Sequence, residues 1–309
     1  MKYRFYLDLI FLDMKTLILS TSILFFLSLN VLAQELNPYI KITESKESIQ
    51  ELSDKIISTL KDNSFTVLGD YNPSNKSSLK VIAFTRNDLS NNAVKVLDRG
   101  ALAAILKVGL VKKDNKVTIS YTNPDYILRA YLGDNYNTYS DSFKKISTDL
   151  KRTFSTIGSD FVPFGGGIKE DKLKKYHYKI MMPYFSDPVE LNEFSSFEEG
   201  LKTIEHALTS EKGNTKMVYK LVYNNAKVAV FGVGLLNKED GESHFLPKIG
   251  EDHVAALPYE IILQDNIVTM LHGKYRLALH WPELTMGTFM KIMSTPGDIE
   301  DTLEALCVN

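Results

Sequence analysis

The strongest constraint on the fold is that the second half of the sequence repeats the first. Two capping boxes, Ser48 with Glu51 and Ser196 with Glu199, lie 148 residues apart. In each, a hydroxyl is placed to take an orphan helix amide, and a carboxylate three residues on is placed to return the bond. Apolar residues at helical spacing follow both boxes: Ile49, Leu52, Ile56 and Leu60 in the first copy, Phe197, Ile204 and Leu208 in the second. Short alternating stretches at 39–42 and 178–181 precede them and read as half-buried strands.

The agreement continues past the helices. Strands are expected at 65–68, 81–84, 104–111 and 117–121 in the first copy. Tyr71-Asn72 is answered by Tyr223-Asn224 at the end of a strand over 217–223. Lys80-Val81 and Phe84 are answered by Lys227-Val228 and Phe231, Ala103-Ala104-Ile105 by Ala255-Ala256-Leu257, and Asp114-Asn115 by Asp265-Asn266. Helices are expected at 126–132, 143–154 and 299–306, the last capped by Asp298. Each copy therefore reads strand, helix, four strands, helix. The expectation is an α+β fold of two similar domains, residues 38–157 and 176–309, with antiparallel sheets covered by helices. Residues 158–175, with Gly165-Gly166-Gly167, are the expected linker. Edge-to-edge pairing of the two sheets would protect exposed strand edges.

The first 33 residues read differently. From Met14, Lys15 gives a short positive region, 17–29 is a nearly unbroken apolar run, and Val31-Leu32-Ala33 fits a cleavage site before Gln34. That pattern is a secretory signal peptide; the alternative is a retained anchor, for which the run is short. Met14 opens a better signal than Met1. The protein is expected to be exported, periplasmic or extracellular, with no membrane span after cleavage. Its net charge of −2 gives no basic field for nucleic acid. Cys307, the single cysteine, excludes an intramolecular disulfide and a thiolate metal cluster, and reads as a small apolar residue.

The second copy's Val228-Ala229-Val230-Phe231-Gly232, then Ala255-Ala256-Leu257-Pro258-Tyr259-Glu260-Ile261-Ile262-Leu263, then Asp265-Asn266 and a returning strand, resembles the family called domain of unknown function 302. The first copy is similar more loosely, with Ala103-Ala104-Ile105 lacking the proline and Asn123-Pro124 after its last strand; the second has Lys274-Tyr275 in that place. The resemblance implies a fold of the TATA-binding-protein-like class, a helix-covered antiparallel sheet in each copy. It implies no established activity, cofactor or partner.

Candidate chemistry concentrates in the second copy, which holds all six histidines. His206 reads as structural, His177 as solvated and His272 as a loop residue. His244 and His253 lie nine residues apart in a polar stretch with Glu251 and Asp252, and imidazole with carboxylate is a common donor set for zinc-like ions. His244, His253, Glu251 and Asp252 are thus the candidate metal ligands; His244, His253 and Glu260 are the candidate ligand-binding residues. The stretch is also simply what a solvated loop looks like, and no metal-binding spacing is present. There is no Gly-x-Ser-x-Gly elbow, no phosphate loop and no Cys/His pair in reach of nucleophilic chemistry. The expected role is binding of an unknown small molecule or envelope protein without catalysis. Loop 234–254 would form the rim, and the alternative is a metal-dependent enzyme or metal-binding protein using that loop.

Overall fold

The structure, a computed structural model, describes residues 34–308, so the expected signal segment lies outside the described residues. The fold is mixed α+β, with antiparallel sheets flanked by helices. A short ribbon of β1 (Glu35–Leu36) and a later strand opens the chain. Strand β2 (Tyr39–Ser45) then leads to α1 (Ile49–Asp62), where the capping box forms as expected: the Ser48 hydroxyl accepts from the Glu51 amide, and the Glu51 carboxylate accepts from the Ser48 amide. β3 (Thr66–Tyr71), β4 (Leu79–Thr85), β5 (Leu106–Lys113) and β6 (Lys116–Thr122) form a meander, with α2 (Asn87–Ala93) between β4 and β5. β2 returns beside β6, and the short β7 (Val162–Phe164) lies outside β2. α3 (Pro124–Leu132) and α4 (Ser140–Phe154) follow β6, and β8 (Ile168–Lys169) pairs back with β1 before α5 (Glu170–Leu173).

The second half runs through a similar order of elements. β9 (Val189–Glu193) leads to α6 (Phe197–Thr209). β10 (Thr215–Tyr223), β11 (Val228–Leu235), β12 (Tyr259–Gln264) and β13 (Ile267–Met270) form the second meander, with β9 returning beside β13. With β7 set aside, the two sheets have the same strand order. α7 (Glu242–Ile249) sits between β11 and β12, and α8 (Gly273–His280), α9 (Met286–Phe289) and α10 (Thr295–Ala305) close the chain. None of the described helices is long and apolar enough to cross a membrane.

Burial follows the period of each element. Ile56 and Leu60 of α1, and Ile204 and Leu208 of α6, turn inward. Phe84 meets Phe65 edge-on with ring centres 5.6 Å apart, and Phe154 of α4 packs on Tyr121 at 5.0 Å. The sheets themselves stay separate. Their edge strands β3 and β10 touch at Gly69, where any Cβ would overlap the Val218 carbonyl.

The two copies also grip each other through α3 and α8. Asn123 caps α3 by accepting from the Asp125 amide, and His272, 149 residues later, caps α8 by accepting from the Lys274 amide. Tyr126 of α3 donates to the Leu279 carbonyl at 2.7 Å, and Tyr275 of α8 donates to the Ala130 carbonyl at 3.5 Å. Both tyrosines and both carbonyls are related by the same 149-residue step. A helix leaves its last carbonyls without amide partners, and each copy supplies one from the other's tyrosine.

Several expectations are corrected. Residues 178–181 form no strand: Ile180 and Met181 are almost fully exposed, and the partner of β13 is Val189–Glu193 instead. The strand expected from residue 104 starts after a 3-10 turn, Gly100–Ala104. Asp298 lies inside α10, which begins at Thr295. His272 ends a loop as expected and there caps the helix that follows. The glycines at 165–167 are packed, with Gly165 against Tyr39 and His253 and Gly166 against Pro282 and Glu283.

The reciprocal tyrosines give an asymmetric expectation. Tyr126→Phe leaves a buried carbonyl unpaired and should cost about 1–3 kcal/mol in denaturant unfolding. Tyr275→Phe, losing the longer bond, should cost clearly less; equal losses would contradict the geometry.

Candidate functional site

Where the two copies meet, charge is buried. Side chains alternate along a strand, so Lys107 leaves β5 on the face away from α1 and α4, toward the second copy. Glu260 lies opposite Gly232 in the β11–β12 ladder. The bare Gly232 backbone admits the Tyr219 ring, which a Cβ there would strike. Tyr219 donates to Glu260 Oε1 at 3.2 Å, the Lys107 ammonium pairs with the same oxygen, and Arg276 of α8 donates to Glu260 Oε2 at 3.2 Å. Arg276 also donates to the Ala256 and Pro258 carbonyls at 2.5 and 2.8 Å and lies 3.7 Å over the Tyr259 ring centre. Lys107, Glu260 and Arg276 are 6, 7 and 1 % exposed, so water does not screen them.

Their protonation follows from burial and mutual charge. Burial alone would push the Glu260 carboxyl up, but Lys107 and Arg276 outweigh it and hold it below its ordinary value. Burial pulls the Lys107 ammonium below its usual range, against the attraction of Glu260. Burial opposes the Arg276 charge as well, and Glu260 with the surrounding tyrosines more than restores it. One carboxylate thus serves two cations across the junction, leaving the cluster with one net positive charge.

A second buried carboxylate ties the copies nearby. Glu242, at the start of α7, accepts from the Tyr71 hydroxyl at 2.7 Å, the Ser74 amide at 2.7 Å and the Leu235 amide at 3.1 Å. Burial raises its pKa to about 7, against the pull of those three donors.

A row of rings lines the third part of the junction. His280 sits between Tyr39, 3.2 Å from Nδ1, and Tyr131, 3.2 Å from Nε2. Tyr39 also donates to the His280 carbonyl at 3.1 Å. One tautomer satisfies all three bonds: Nδ1–H donates to the Tyr39 oxygen, and Nε2 accepts from Tyr131. Burial, with Arg276 and Lys107 nearby, keeps this imidazole neutral by lowering its pKa well below the usual value. Tyr39 packs on His253 with ring centres 5.1 Å apart, and His253 packs on Trp281 at 5.7 Å. Tyr131 reaches an open cleft of about 350 Å³ between α3 and the 174–186 segment. Tyr176, Tyr184, Phe185, Lys174 and Lys175 line the same cleft. Phe185 stacks 5.3 Å from Tyr131 and carries the Arg99 guanidinium on its other contact, 5.0 Å from the ring centre.

The residues singled out from sequence scatter. Glu251 pairs with Lys76 at 2.6 Å and Asp252 with Lys113 at 2.8 Å, two lysines of the first copy. His244 is half-buried on α7 with Nε2 2.8 Å from Lys248 Nζ. His253 is buried among rings, its Nε2 3.4 Å from Glu283 and its Nδ1 without a partner in the described structure. Among the described residues no three His, Cys, Asp or Glu side chains gather in a way that suits a metal ion. The metal set of His244, His253, Glu251 and Asp252 is therefore corrected: its two carboxylates serve as ties between the copies. The loop that carried it is itself largely α7 and the 3-10 turn Glu251–Ala256, with Phe245, Leu246 and Ile249 buried beneath its polar residues. Glu260 is the one candidate at the centre of the junction. Sequence reasoning missed Lys107 and Arg276, although a lysine inside an apolar strand and an arginine between Tyr275 and Leu277 were the available signals. Cys307 is buried, which pushes its thiol up to about 12, away from reactivity.

No family model matches the chain, and no curated protein matches it.

Removing the shared counter-charge should hurt more than removing one of its two cations. Glu260→Gln leaves Lys107 and Arg276 facing each other and should cost about 3–5 kcal/mol. Lys107→Met leaves Glu260 paired with Arg276 and should cost less, as read from chemical denaturation of both variants.

Burial lifts the Glu242 carboxyl from its ordinary value of 4.5 to about 7, so the folded chain binds its proton more tightly than the unfolded chain does. Its contribution to stability is full below about pH 4.5 and is lost as pH rises through 7, a swing of order 3 kcal/mol. Stability of the wild type minus that of Glu242→Gln should fall across this window; parallel pH profiles would refute it.

Proposed function

We propose that the chain is an exported tandem duplication, resembling two copies of the domain of unknown function 302, that binds a small molecule without catalysis in the cleft between α3 and the 174–186 segment. The cleft is the observation that carries the reading: about 350 Å³, walled by Tyr131, Tyr176, Tyr184 and Phe185, with Lys175, Asp98 and the Lys174–Asp134 ion pair on its lining. Concave sites with aromatic walls and a few placed polar groups are where small ligands bind. Aromatic faces beside the Lys175 ammonium suit a planar ligand that carries an anionic group.

Other features support the reading. The shared strand order and the reciprocal Tyr126 and Tyr275 bonds are what duplication followed by self-association of the copies would leave. The buried Glu260 carboxylate is held between Lys107 and Arg276, which suits a rigid scaffold holding a cleft. The cleft replaces loop 234–254 as the binding rim. The net charge of −2 keeps nucleic acid outside the proposal. Export rests on the apolar run before Gln34.

Native mass spectrometry of the full chain, purified from cells, should show a bound small molecule or an empty protein that a panel of aromatic carboxylates stabilises against heat. A ligand at a hundred times its Kd adds about 2.7 kcal/mol. Tyr131→Leu with Lys175→Glu should abolish that gain; an unchanged gain would move the site elsewhere.

A further inference from the structure

Five of the chain's nine methionines, Met181, Met182, Met286, Met290 and Met293, fall in two short stretches, and these stretches meet at one surface. Met182 and Met286 line a shallow apolar groove there together with Trp281 and Phe289. Met286, Met290 and Met293 are 51, 57 and 61 % exposed. They follow the spacing i, i+4, i+7. The backbone carries that spacing without a break, because α9 runs into the 3-10 turn Met290–Ile292, and Met290 and Met293 keep right-handed helical dihedrals. Residues three and four apart on a helix are neighbours on one face, so the three thioethers form a single stripe. Packing does not account for them: Ile292 and Leu284 face inward, and the methionines face water.

A nitrogen donor lies alongside. α7 packs against α9 and the turn after it. Lys248 Nζ contacts His244 Nε2 at 2.8 Å and the Lys291 carbonyl at 3.4 Å, which sets the imidazole beside the Met290–Met293 turn. His244 Nε2 faces the Lys248 ammonium, and Lys248 also reaches the Met290–Met293 turn. Lys248 is exposed, so a cation that takes Nε2 would displace its ammonium into water.

We propose that Met286, Met290 and Met293, with His244 across from them, form a binding site for a soft monovalent cation, Cu(I). Thioether sulfur is a poor ligand for zinc, calcium or magnesium and a good one for Cu(I), and imidazole completes such a set readily. The groove beside the stripe holds only about 50 Å³, too little to seat a peptide helix, whereas a cation bridged by side chains needs no preformed cavity. The site is independent of the junction cleft and of what that cleft binds.

Titration of the full chain with Cu(I) under anaerobic reducing conditions, in competition with a chromophoric Cu(I) chelator, tests it. One equivalent should be withdrawn from the chelator, while Zn(II) should not bind at this site. Met286→Leu, Met290→Leu and Met293→Leu keep volume and apolarity at exposed positions, so folding is retained. Each should weaken Cu(I) by roughly ten-fold or more, and His244→Ala by a smaller factor. Met217→Leu, on β10, should change nothing. With methyl-labelled methionine, Ag(I) as a redox-silent probe should shift the Met286, Met290 and Met293 methyl signals and leave Met217 and Met270 in place. No withdrawal of Cu(I) by the wild type, or undiminished withdrawal by the triple Leu variant, overturns the proposal. The first of these outcomes would leave the exposed stripe as an apolar contact surface.

Discussion

The charge pairing of Lys107, Glu260 and Arg276 is the interaction on which the arrangement of this chain turns. It joins a strand of the first sheet to a strand of the second and to the helix that follows it. Taking three charges out of water costs several kcal/mol per ion, and only close pairing offsets it. The pairing therefore tolerates little relative movement of the copies. Lys107 must sit opposite Glu260, and Arg276 must reach the Ala256 and Pro258 carbonyls as well as the carboxylate. Other contacts fall into place around that requirement: Gly232 is bare so that Tyr219 can reach Glu260, and Gly69 is bare so that β3 can lie on β10. Hydrophobic burial supplies most of the stability of the junction, but it is not directional. The charges choose one docking among many that would bury similar apolar area.

The parts of the fold legible in sequence were those that local chemistry decides. The capping box at Ser48 and Glu51 and the apolar faces of α1 and α6 depend on neighbours three and four residues away, and they stand where the residues put them. The second box shows how far such a rule extends: Ser196 caps as expected, yet the Glu199 carboxylate takes the Ser195 amide and hydroxyl instead. The alternation at 178–181 failed for a nonlocal reason. A strand needs a free edge to pair with, and the edge at β13 is occupied by Val189–Glu193. Loop 234–254 was misread because composition hid position: among its charges, Phe245, Leu246 and Ile249 sit at spacings that let α7 bury them.

The site was less legible than the fold. A lone lysine in β5 and a lone arginine in α8 look, in sequence, like ordinary solvated charges. Their meaning lies in partners 153 and 16 residues away, which only the assembled junction reveals. Histidines drew attention as the residues with the most versatile chemistry. In the structure His280 is locked neutral between two tyrosines, His253 is a packing ring, and His272 is a helix cap. The versatility of imidazole is a reason to look at a position, and its surroundings decide whether the versatility is used.

The two copies diverge where the pseudo-symmetric contacts meet. The 149-residue step that relates Tyr126 to Tyr275 also relates Ile127 to Arg276 and Tyr131 to His280. The second copy thus brings a charge and an imidazole where the first has an aliphatic and a phenol, and the two unlike members of the second pair bond to each other at 3.2 Å. An identical pair at that point would meet phenol to phenol or imidazole to imidazole. The unlike pair makes one donor and one acceptor, with no proton contested between them. Arg276 likewise has no charged counterpart, the corresponding residue being the buried Ile127. Asymmetry is thus a physical requirement of this junction, and it frees the first copy's Tyr131 to face the cleft while its hydroxyl is held by the second.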